Sequence, residues 1–437
     1  MDDVTAVPPP AQQARLRTDV FLTFGGKGAT LVLGLAMATV IARQLGASGQ
    51  GIFAVAYSLT LLLVQVGGLG ITAANPYFVA RESAALPRIV GNSIWLAVVL
   101  GVGLAAAGAA LKLAAPGAIP GLGWTPLLIT LGAVPGALAA LFLQSILLGE
   151  GRMMAYNTVE VVQTAASLAA MVAGFVLLDM RIAGALAVLA VSRYAGACAY
   201  FVLLRVHRPT LRLPDLQLVR RMLAYGFRVY LALLMSLLVI RLDLLLVNSF
   251  LGSTEAGLYS VAATLADGMF VLPMVVGLNL FPRVARGNPI EATAEVFRSI
   301  AVLYGIVCLV TVPVAGIAIQ TFFGDEFKGA TSLYYWLLPG IYSLGMLTIL
   351  SQHFVGRGFP PQAVRIWFVG LALNVVLNLA FLPGRGAWVA ALTSSVTYAA
   401  LLVLFMWLFA REAGGFSAMR PRLGEVVRFV RVALSRD

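Results

Sequence analysis

The sequence predicts an all-α polytopic membrane protein, with about twelve transmembrane helices in two parallel six-helix lobes around a central cavity. Its 437 residues are 60% hydrophobic and only 11% charged, with a mean hydropathy of +0.94. Soluble domains are roughly 45–50% apolar and about 25% charged. The apolar residues form runs long enough to cross a bilayer, and one phrase of sequence occurs once in each half of the chain.

Twelve apolar runs are long enough to span a membrane, which takes about 20 residues each. The connectors between them carry glycine and proline, which end helices. The runs lie at 20–44, 51–80, 90–113, 124–148, 155–178, 183–205, 222–250, 256–282, 297–322, 331–355, 363–382 and 386–410.

The cations in the connectors indicate the topology. Those on the side of the two termini outnumber those on the opposite side by about four to one, and the positive-inside rule places that side in the cytoplasm. The formal charge of +12 therefore reflects topology, and no nucleic-acid partner is expected. The outer connectors hold Arg43, Lys112, Arg181, Lys328 and Arg385.

The repeated phrase reads LGASGQGIFAVAYSL at 45–59 and LGSTEAGLYSVAATL at 251–265, with an offset of 206 at every matched position. Six helices separate the copies, so both copies face the same way, as in a parallel repeat of two lobes. The phrase forms the outer turn after the first helix of each lobe. We expect Gly46 and Gly252 to end a helix in the left-handed conformation, and Ser48 and Thr254 to cap the next helix.

The repeat sets the domain boundaries. The N-lobe is expected at 20–206 and the C-lobe at 222–410, joined by a cytoplasmic linker at 207–221. Residues 1–19 are polar and proline-rich and predict a disordered tail rather than a cleavable signal peptide. Residues 411–437 predict a basic amphipathic tail on the cytoplasmic membrane surface.

Several stretches resemble one family of membrane transporters. These are Ala-Arg-x-Leu-Gly at 42–46, LQSILLGEGR at 143–152, RLDLLLVNSFLGSTEAGLYSVA at 241–262 and GAWVAALTSS at 386–395. Together they resemble the polysaccharide-transporter, or O-antigen flippase, family of the multidrug/oligosaccharidyl-lipid/polysaccharide exporter superfamily. The resemblance covers nearly the whole chain, and it implies the fold shared by the multidrug antiporters of that superfamily.

The resemblance also implies a function. Such a protein would move undecaprenyl-diphosphate-linked oligosaccharides from the inner to the outer leaflet of the bacterial inner membrane by alternating access. It would serve the synthesis of O-antigen or exopolysaccharide, and the polysaccharide polymerase machinery would be a partner. The lipid II flippases of the superfamily usually carry fourteen helices, so a count of twelve favours the polysaccharide branch.

The sequence contains no motif for enzymatic chemistry. It has no P-loop, no cluster with metal-ligand spacing and no pair of catalytic carboxylates. Cys198 and Cys308 are not expected to form a disulfide or a metal site. We therefore expect no enzyme activity and no cofactor, and transport coupled to H⁺, Na⁺ or the membrane potential.

The informative residues are the charges inside helices, since each costs about 2.5–3.5 kcal/mol at the bilayer centre and so faces a cavity or a partner. Arginine suits a lipid diphosphate because its forked donors match phosphate oxygens. We therefore expect a net basic cavity. For Lys27 the alternative is snorkelling to the interface, and for Arg241 it is a structural ion pair between helices. The candidates for substrate binding are Lys27, Arg43, Arg193, Arg228 and Arg241.

Three acids are candidates for ion coupling: Glu160, Asp243 and Asp267. Asp243 stands two residues after Arg241 and so on another face of the helix, which predicts that each meets a different neighbouring helix. Arg193 is expected to contact either substrate or Glu160. The amides at 374 and 378 share a helix face, which is typical of contacts between membrane helices.

Other functions are weighed against the flippase. A cation-coupled drug or small-solute antiporter of the same superfamily would favour acids over cations in its cavity, and a lipid II flippase would share the diphosphate. A major-facilitator carrier also has two six-helix lobes, but its Gly/Asp/Arg-rich loop is absent from 81–88. A membrane scaffold would not explain the charges inside helices of both lobes.

Overall fold

The computed structural model describes residues 10–119, 121–204, 214–274, 276–277, 289–356 and 360–420. These residues are helical throughout apart from short connections, and no strand occurs among them. We number the long helices in chain order: α1 Pro10–Gly68, α2 Ile71–Arg81, α3 Leu86–Ala114, α4 Trp124–Gly149, α5 Met153–Leu178, α6 Ile182–Leu204, α7 Leu216–Leu251, α8 Ser253–Met269, α9 Pro289–Phe323, α10 Ala330–Gly356, α11 Pro361–Phe381 and α12 Ala387–Ala413.

Eleven helical segments of the described chain are long and apolar enough to cross a membrane. The first, Gly25–Gly68, has 44 residues and is about 66 Å long at 1.5 Å per residue, twice the roughly 30 Å of a bilayer core. Gly46 interrupts it with a φ of 67° and a ψ of −179°. The segment therefore supplies two spans, and the predicted count of twelve is confirmed.

Two helix boundaries differ from the sequence prediction. Helix α1 already begins at Pro10, so residues 10–19 are helical where a disordered tail was expected; proline suits the first helical position, and the alanine, glutamine and arginine that follow favour helix. Helix α7 begins at Leu216, inside the expected linker, because the Asp215 side chain caps it by accepting from the Leu218 amide at 3.0 Å. The basic tail lies outside the described residues from 421 onward.

The second span was expected as one helix over 51–80, but it breaks at Leu69 and Gly70. Gly70 has a φ of 83°, which favours glycine. A methyl group added at Gly70 would lie 2.6 Å from the carbonyl carbon of Gly226 in α7, and one added at Gly226 would lie 2.1 Å from the Gly70 carbonyl oxygen. The break therefore lets two backbones from different lobes touch.

The buried apolar residues follow the two lobes. Two clusters are built mainly from α1–α6, and the third mainly from α7–α12. Helices α1 and α2 pack against α7 and α8 where the lobes meet. We call the end of this interface that holds Gly46 and Gly252 the outer end, following the predicted topology, and the opposite end the inner end.

The two copies of the repeated phrase contact each other at the outer end. A methyl group at Gly51 would lie 1.8 Å from the carbonyl oxygen of Ser253, and one at Gly257 would lie 1.9 Å from that of Ala47. The offset of 206 relates both pairs, so the contact is reciprocal, as across a two-fold axis. We call this contact between the two copies of the phrase the seam. The phrase recurs because each copy forms half of the seam.

The turn itself was predicted only in part. Gly252 has a φ of 90° and a ψ of 176°, so both turn glycines have positive φ but an extended ψ, a combination almost restricted to glycine. Ser48 and Thr254 do not cap the next helices as expected. Gly252 is the cap residue of α8, and the Ser48 hydroxyl instead pairs with that of Ser253 across the interface at 2.8 Å.

Candidate substrate cavity

A cavity of about 470 Å³ lies between the lobes, lined by α1, α7 and α8. It extends from Gln50, one turn below the outer turn, to Lys27, which lies about 28 Å from Gly46 along the helix at 1.5 Å per residue. The charged residues on its wall are Lys27, Arg241 and Asp267. It therefore provides a polar compartment at membrane depth, at the interface that alternating access would open.

Lys27 lies on the cavity wall and is paired with the N-lobe. Its ammonium lies 2.6 Å from a carboxylate oxygen of Glu160 and donates to the Tyr156 hydroxyl at 2.9 Å, both on α5. Both side chains of the ion pair are about one quarter exposed. Lys27 thus lines the cavity with its charge paired, and it meets the acid that the sequence had offered as a partner for Arg193.

Arg241 also lines the cavity, from α7 in the C-lobe, about 16 Å below Gly252 along the helix. Its Nη2 lies 2.7 Å from a carboxylate oxygen of Asp267 on α8. Its Nε–H is buried and has no hydrogen-bond partner among the described residues. The guanidinium is therefore held by one acid and keeps a free donor beside the cavity.

The wall of the cavity carries two cations and one acid, so it is net basic, but each cation is paired with an acid. Lys27 is matched by Glu160 and Arg241 by Asp267. The physical reason is the insertion cost of an isolated charge in the membrane, which a partner on a neighbouring helix offsets. One sequence does not show which helices are neighbours.

Asp243 is fully buried beside the cavity, in the C-lobe. It accepts hydrogen bonds from the Asn378 amide at 3.1 Å, from the Tyr259 hydroxyl at 3.3 Å and from the Ser394 hydroxyl. Asp243 thus faces α8, α11 and α12, and Arg241 meets Asp267 on α8, so each residue contacts helices other than its own and α8 is common to both. Asp243 has no ion-pair partner among the described residues.

Two of the other candidate cations, Arg193 and Arg43, do not line this cavity. Arg193 on α6 lines a small neighbouring pocket, separated from the cavity by Tyr57 and Leu189, which line both. Arg43 is exposed at the outer end, where it donates to the carbonyl oxygens of Thr321 and Phe322. The Arg228 side chain lies outside the described part of the structure.

The outer end of the cavity is closed by contacts between the lobes. The Ala47 amide donates to Glu326 at 2.9 Å, which places a carboxylate of the C-lobe at the start of the second span, where the helix dipole favours an anion. Arg43 ties the same region to the last carbonyls of α9. Gln50 donates to the Ser260 hydroxyl at 3.2 Å on the cavity side of the seam.

A second set of contacts joins α2 and α7 at the inner end. Arg221 lies 2.9 Å from a carboxylate oxygen of Glu82, and the rings of Tyr77 and Tyr225 stack 4.1 Å apart. Residues 278–288 lie outside the described residues. Contacts between the lobes therefore hold the described parts of the interface together at both the outer and the inner end.

Sequence reasoning missed three residues of this arrangement: Tyr156, Glu326 and Ser394. Each forms a hydrogen bond with a residue that is distant in the sequence. Tyr156 contacts Lys27, Glu326 contacts Ala47, and Ser394 contacts Asp243. Tyr156 stands four residues before Glu160, on the same helix face, which is the one signal that would have found it. Glu326 and Ser394 lie in an ordinary turn and an ordinary small-residue stretch, and nothing local distinguishes them.

The fold is similar to that of transporters of the multidrug/oligosaccharidyl-lipid/polysaccharide exporter superfamily. The lipid II flippase MurJ in an inward-closed conformation matches with a TM-score of 0.75, covering 95% of this chain and 93% of that one at 12% identity. An inward-facing multidrug resistance transporter of the MATE family matches with a TM-score of 0.69, over 89% and 95% of the two chains at 14% identity. A Vibrio cholerae MATE transporter gives 0.63, over 92% and 96% at 16% identity.

A family model described as polysaccharide biosynthesis protein matches residues 16–288, more than half of the chain. The chain belongs to this polysaccharide biosynthesis protein family. An uncharacterized membrane protein of Methanocaldococcus jannaschii is 22% identical over 176 residues. That match covers 39% of this chain and 41% of the length of that relative.

Proposed function

We propose that this protein flips an undecaprenyl-diphosphate-linked oligosaccharide from the inner to the outer leaflet of the bacterial inner membrane. The sugar would be a repeat unit of O-antigen or exopolysaccharide, and the polymerase machinery would take it over. The observation that carries the proposal is that Lys27 of the N-lobe and Arg241 of the C-lobe line the same interlobe cavity. A head group bearing two phosphates suits two cations at membrane depth.

We assign ion coupling first to Asp243. A buried carboxylate without a cationic partner is costly, and binding of a proton or a Na⁺ would remove that cost. The hydroxyls of Tyr259 and Ser394 and the amide of Asn378 surround it with polar atoms. Glu160 and Asp267, the other two coupling candidates, are already neutralised by Lys27 and Arg241.

One observation favours a second candidate function. The cavity holds as many acids as cations once Glu160 is included, and acids suit the cationic substrates of a drug antiporter. A lipid II flippase is a third candidate, since the fold matches one closely, and it shares the lipid diphosphate with the favoured function.

Purified protein in proteoliposomes tests these functions. The vesicles carry a fluorescent polyprenyl-diphosphate oligosaccharide, and a membrane-impermeant quencher reports the fraction in the outer leaflet over time. We expect faster exchange than in protein-free vesicles, and loss of that exchange in Arg241→Ala. Exchange at the protein-free rate by folded protein, together with gradient-driven uptake of a cationic dye, would establish the antiporter instead.

The same assay with lipid II compares the two flippase functions. We expect the oligosaccharide lipid to exchange faster than lipid II under identical conditions. The reverse order would assign the chain to lipid II transport.

A further inference from the structure

The two cations of the cavity are both occupied in the structure, and their occupants are carboxylates. Asp267 lies 2.7 Å from Arg241, and Glu160 lies 2.6 Å from Lys27. All four side chains remain between one quarter and two fifths exposed. Lys27, Arg241 and Asp267 line the cavity and Glu160 holds Lys27 from α5, so an incoming anion can reach both cations.

We propose that Asp267 and Glu160 are displaceable stand-ins for the anionic head group: the substrate phosphates replace them at Arg241 and Lys27. This inference rests on the proposed function, since it assigns a role to acids at the same site. Carboxylate and phosphate use the same donors of arginine and lysine. The unloaded cavity thereby avoids the cost of two unpaired cations in the membrane.

The number of charges makes displacement necessary. A lipid diphosphate carries at least two negative charges, and the cavity already contains a carboxylate at each cation. Placing the phosphates beside two ionised acids would bring like charges together in a medium of low polarity, where repulsion is strong. Each acid must therefore leave its cation, and an unpaired carboxylate in such a medium becomes neutral by taking up a proton.

Substrate binding is thus linked to proton uptake from the aqueous phase. The other titratable or charged groups near Arg241 and Asp267 are Tyr57 on α1, Tyr398 on α12 and Asp243, which lies near Tyr398. Tyr156 lies beside Glu160, with Tyr200 and Arg193 on α6. Asp243 pairs with neither cation, so the phosphates displace only Asp267 and Glu160, these two carboxylates take up the protons, and binding strengthens as pH falls.

Binding of farnesyl diphosphate to the full-length purified protein tests the proposal, with farnesol as the control lacking phosphate. Asp267→Asn removes the competing charge and keeps the shape, so we expect about tenfold tighter binding, with about threefold for Glu160→Gln. Asp325→Asn is the matched control: Asp325 also pairs with a cation, Lys328, at 3.0 Å, but is exposed in an outer turn. Its affinity should equal that of the wild type.

Proton uptake by the wild type can be measured even if the variants do not fold. In weakly buffered solution, the wild type should take up about one proton more per bound farnesyl diphosphate than Asp267→Asn does. If Asp267→Asn does not fold, the proposal is tested by proton uptake in the wild type and by the affinity of Glu160→Gln for farnesyl diphosphate. Absence of proton uptake by the wild type, or unchanged or weaker binding by both acid variants, would overturn the inference.

The proposed function fails separately from this inference. If the wild type binds farnesyl diphosphate no better than farnesol, the diphosphate is not the ligand, and both proposals are overturned. If the wild type binds it and Arg241→Ala does not, but the acid variants bind no tighter, the binding site stands and only the displacement is refuted.

Discussion

Gly51 packs against the backbone of Ser253 so closely that a methyl group would lie 1.8 Å from its carbonyl oxygen. The equivalent contact of Gly257 with Ala47 repeats this packing on the other side of the seam. The outer closure therefore depends on two positions without side chains, and a flippase that alternates must separate this contact in every cycle.

Gly51→Ala should hold the outer end of the cavity open, because the added methyl group cannot coexist with the seam. We expect increased labelling of a cysteine placed at Ser260, in a background without the native cysteines, by an impermeant thiol reagent. Gly132→Ala is the control, since that helical glycine faces open space. Unchanged labelling in folded Gly51→Ala protein would show that the seam does not close the cavity.

A disulfide across the seam should have the opposite effect. The hydroxyls of Ser48 and Ser253 lie 2.8 Å apart, so cysteines at both positions are close enough to be joined on oxidation. We expect the oxidised double variant to lose flipping and to recover it on reduction. Each single-cysteine variant should be insensitive to both treatments. Normal flipping by a fully cross-linked protein would contradict alternating access through this end.

Arg241→Ala should abolish flipping, whereas Arg241→Lys should only weaken it, because lysine binds phosphate as a point charge. The structure also predicts that Arg241→Ala destabilises the protein, since the change leaves Asp267 unpaired. We expect a loss of about 1–2 kcal/mol in the free energy of unfolding, less than for a fully buried pair because both side chains are partly exposed.

The double variant Arg241→Ala/Asp267→Ala separates the two roles of Arg241. Removing the unpaired acid should restore the amount of folded protein in the membrane but not the flipping rate per molecule. Recovery of flipping in the double variant would show that Arg241 has only a structural role.

Asp243→Asn should keep the fold and remove the dependence of flipping on an ion gradient. The carboxamide preserves the shape and avoids burying a charge. The flipping rate is measured in proteoliposomes under imposed proton and Na⁺ gradients, with Asp325→Asn as the exposed control. A gradient dependence equal to that of the wild type would exclude Asp243 from coupling.

The predicted orientation can be checked with topology reporters. Fusions at Gly121, Gly252 and Gly324 should report the outside, and fusions at Pro209 and Gly287 should report the cytoplasm. A cytoplasmic signal at Gly252 would show that the predicted orientation is reversed. The seam and the closed end of the cavity would then lie on the cytoplasmic side.

The sequence by itself determined the helices, their number and the two lobes. Membrane helices satisfy their own backbone hydrogen bonds, so an apolar run such as 124–148 predicts its span almost to the residue. The repeat at 45 and 251 identified the lobes because an even number of helices separates the copies. The depths of Lys27 and Arg241 likewise follow from counting residues along a helix.

Only the tertiary structure decided which charges meet. Asp267 on α8 and Glu160 on α5 pair with cations that lie 26 and 133 residues away in the chain. The side chain that closes the start of the second span, Glu326, comes from the other lobe. Local sequence sets helix periodicity, but the rotation of each helix about its axis is set by packing against its neighbours. That rotation brought an acid from a neighbouring helix to each cation of the cavity.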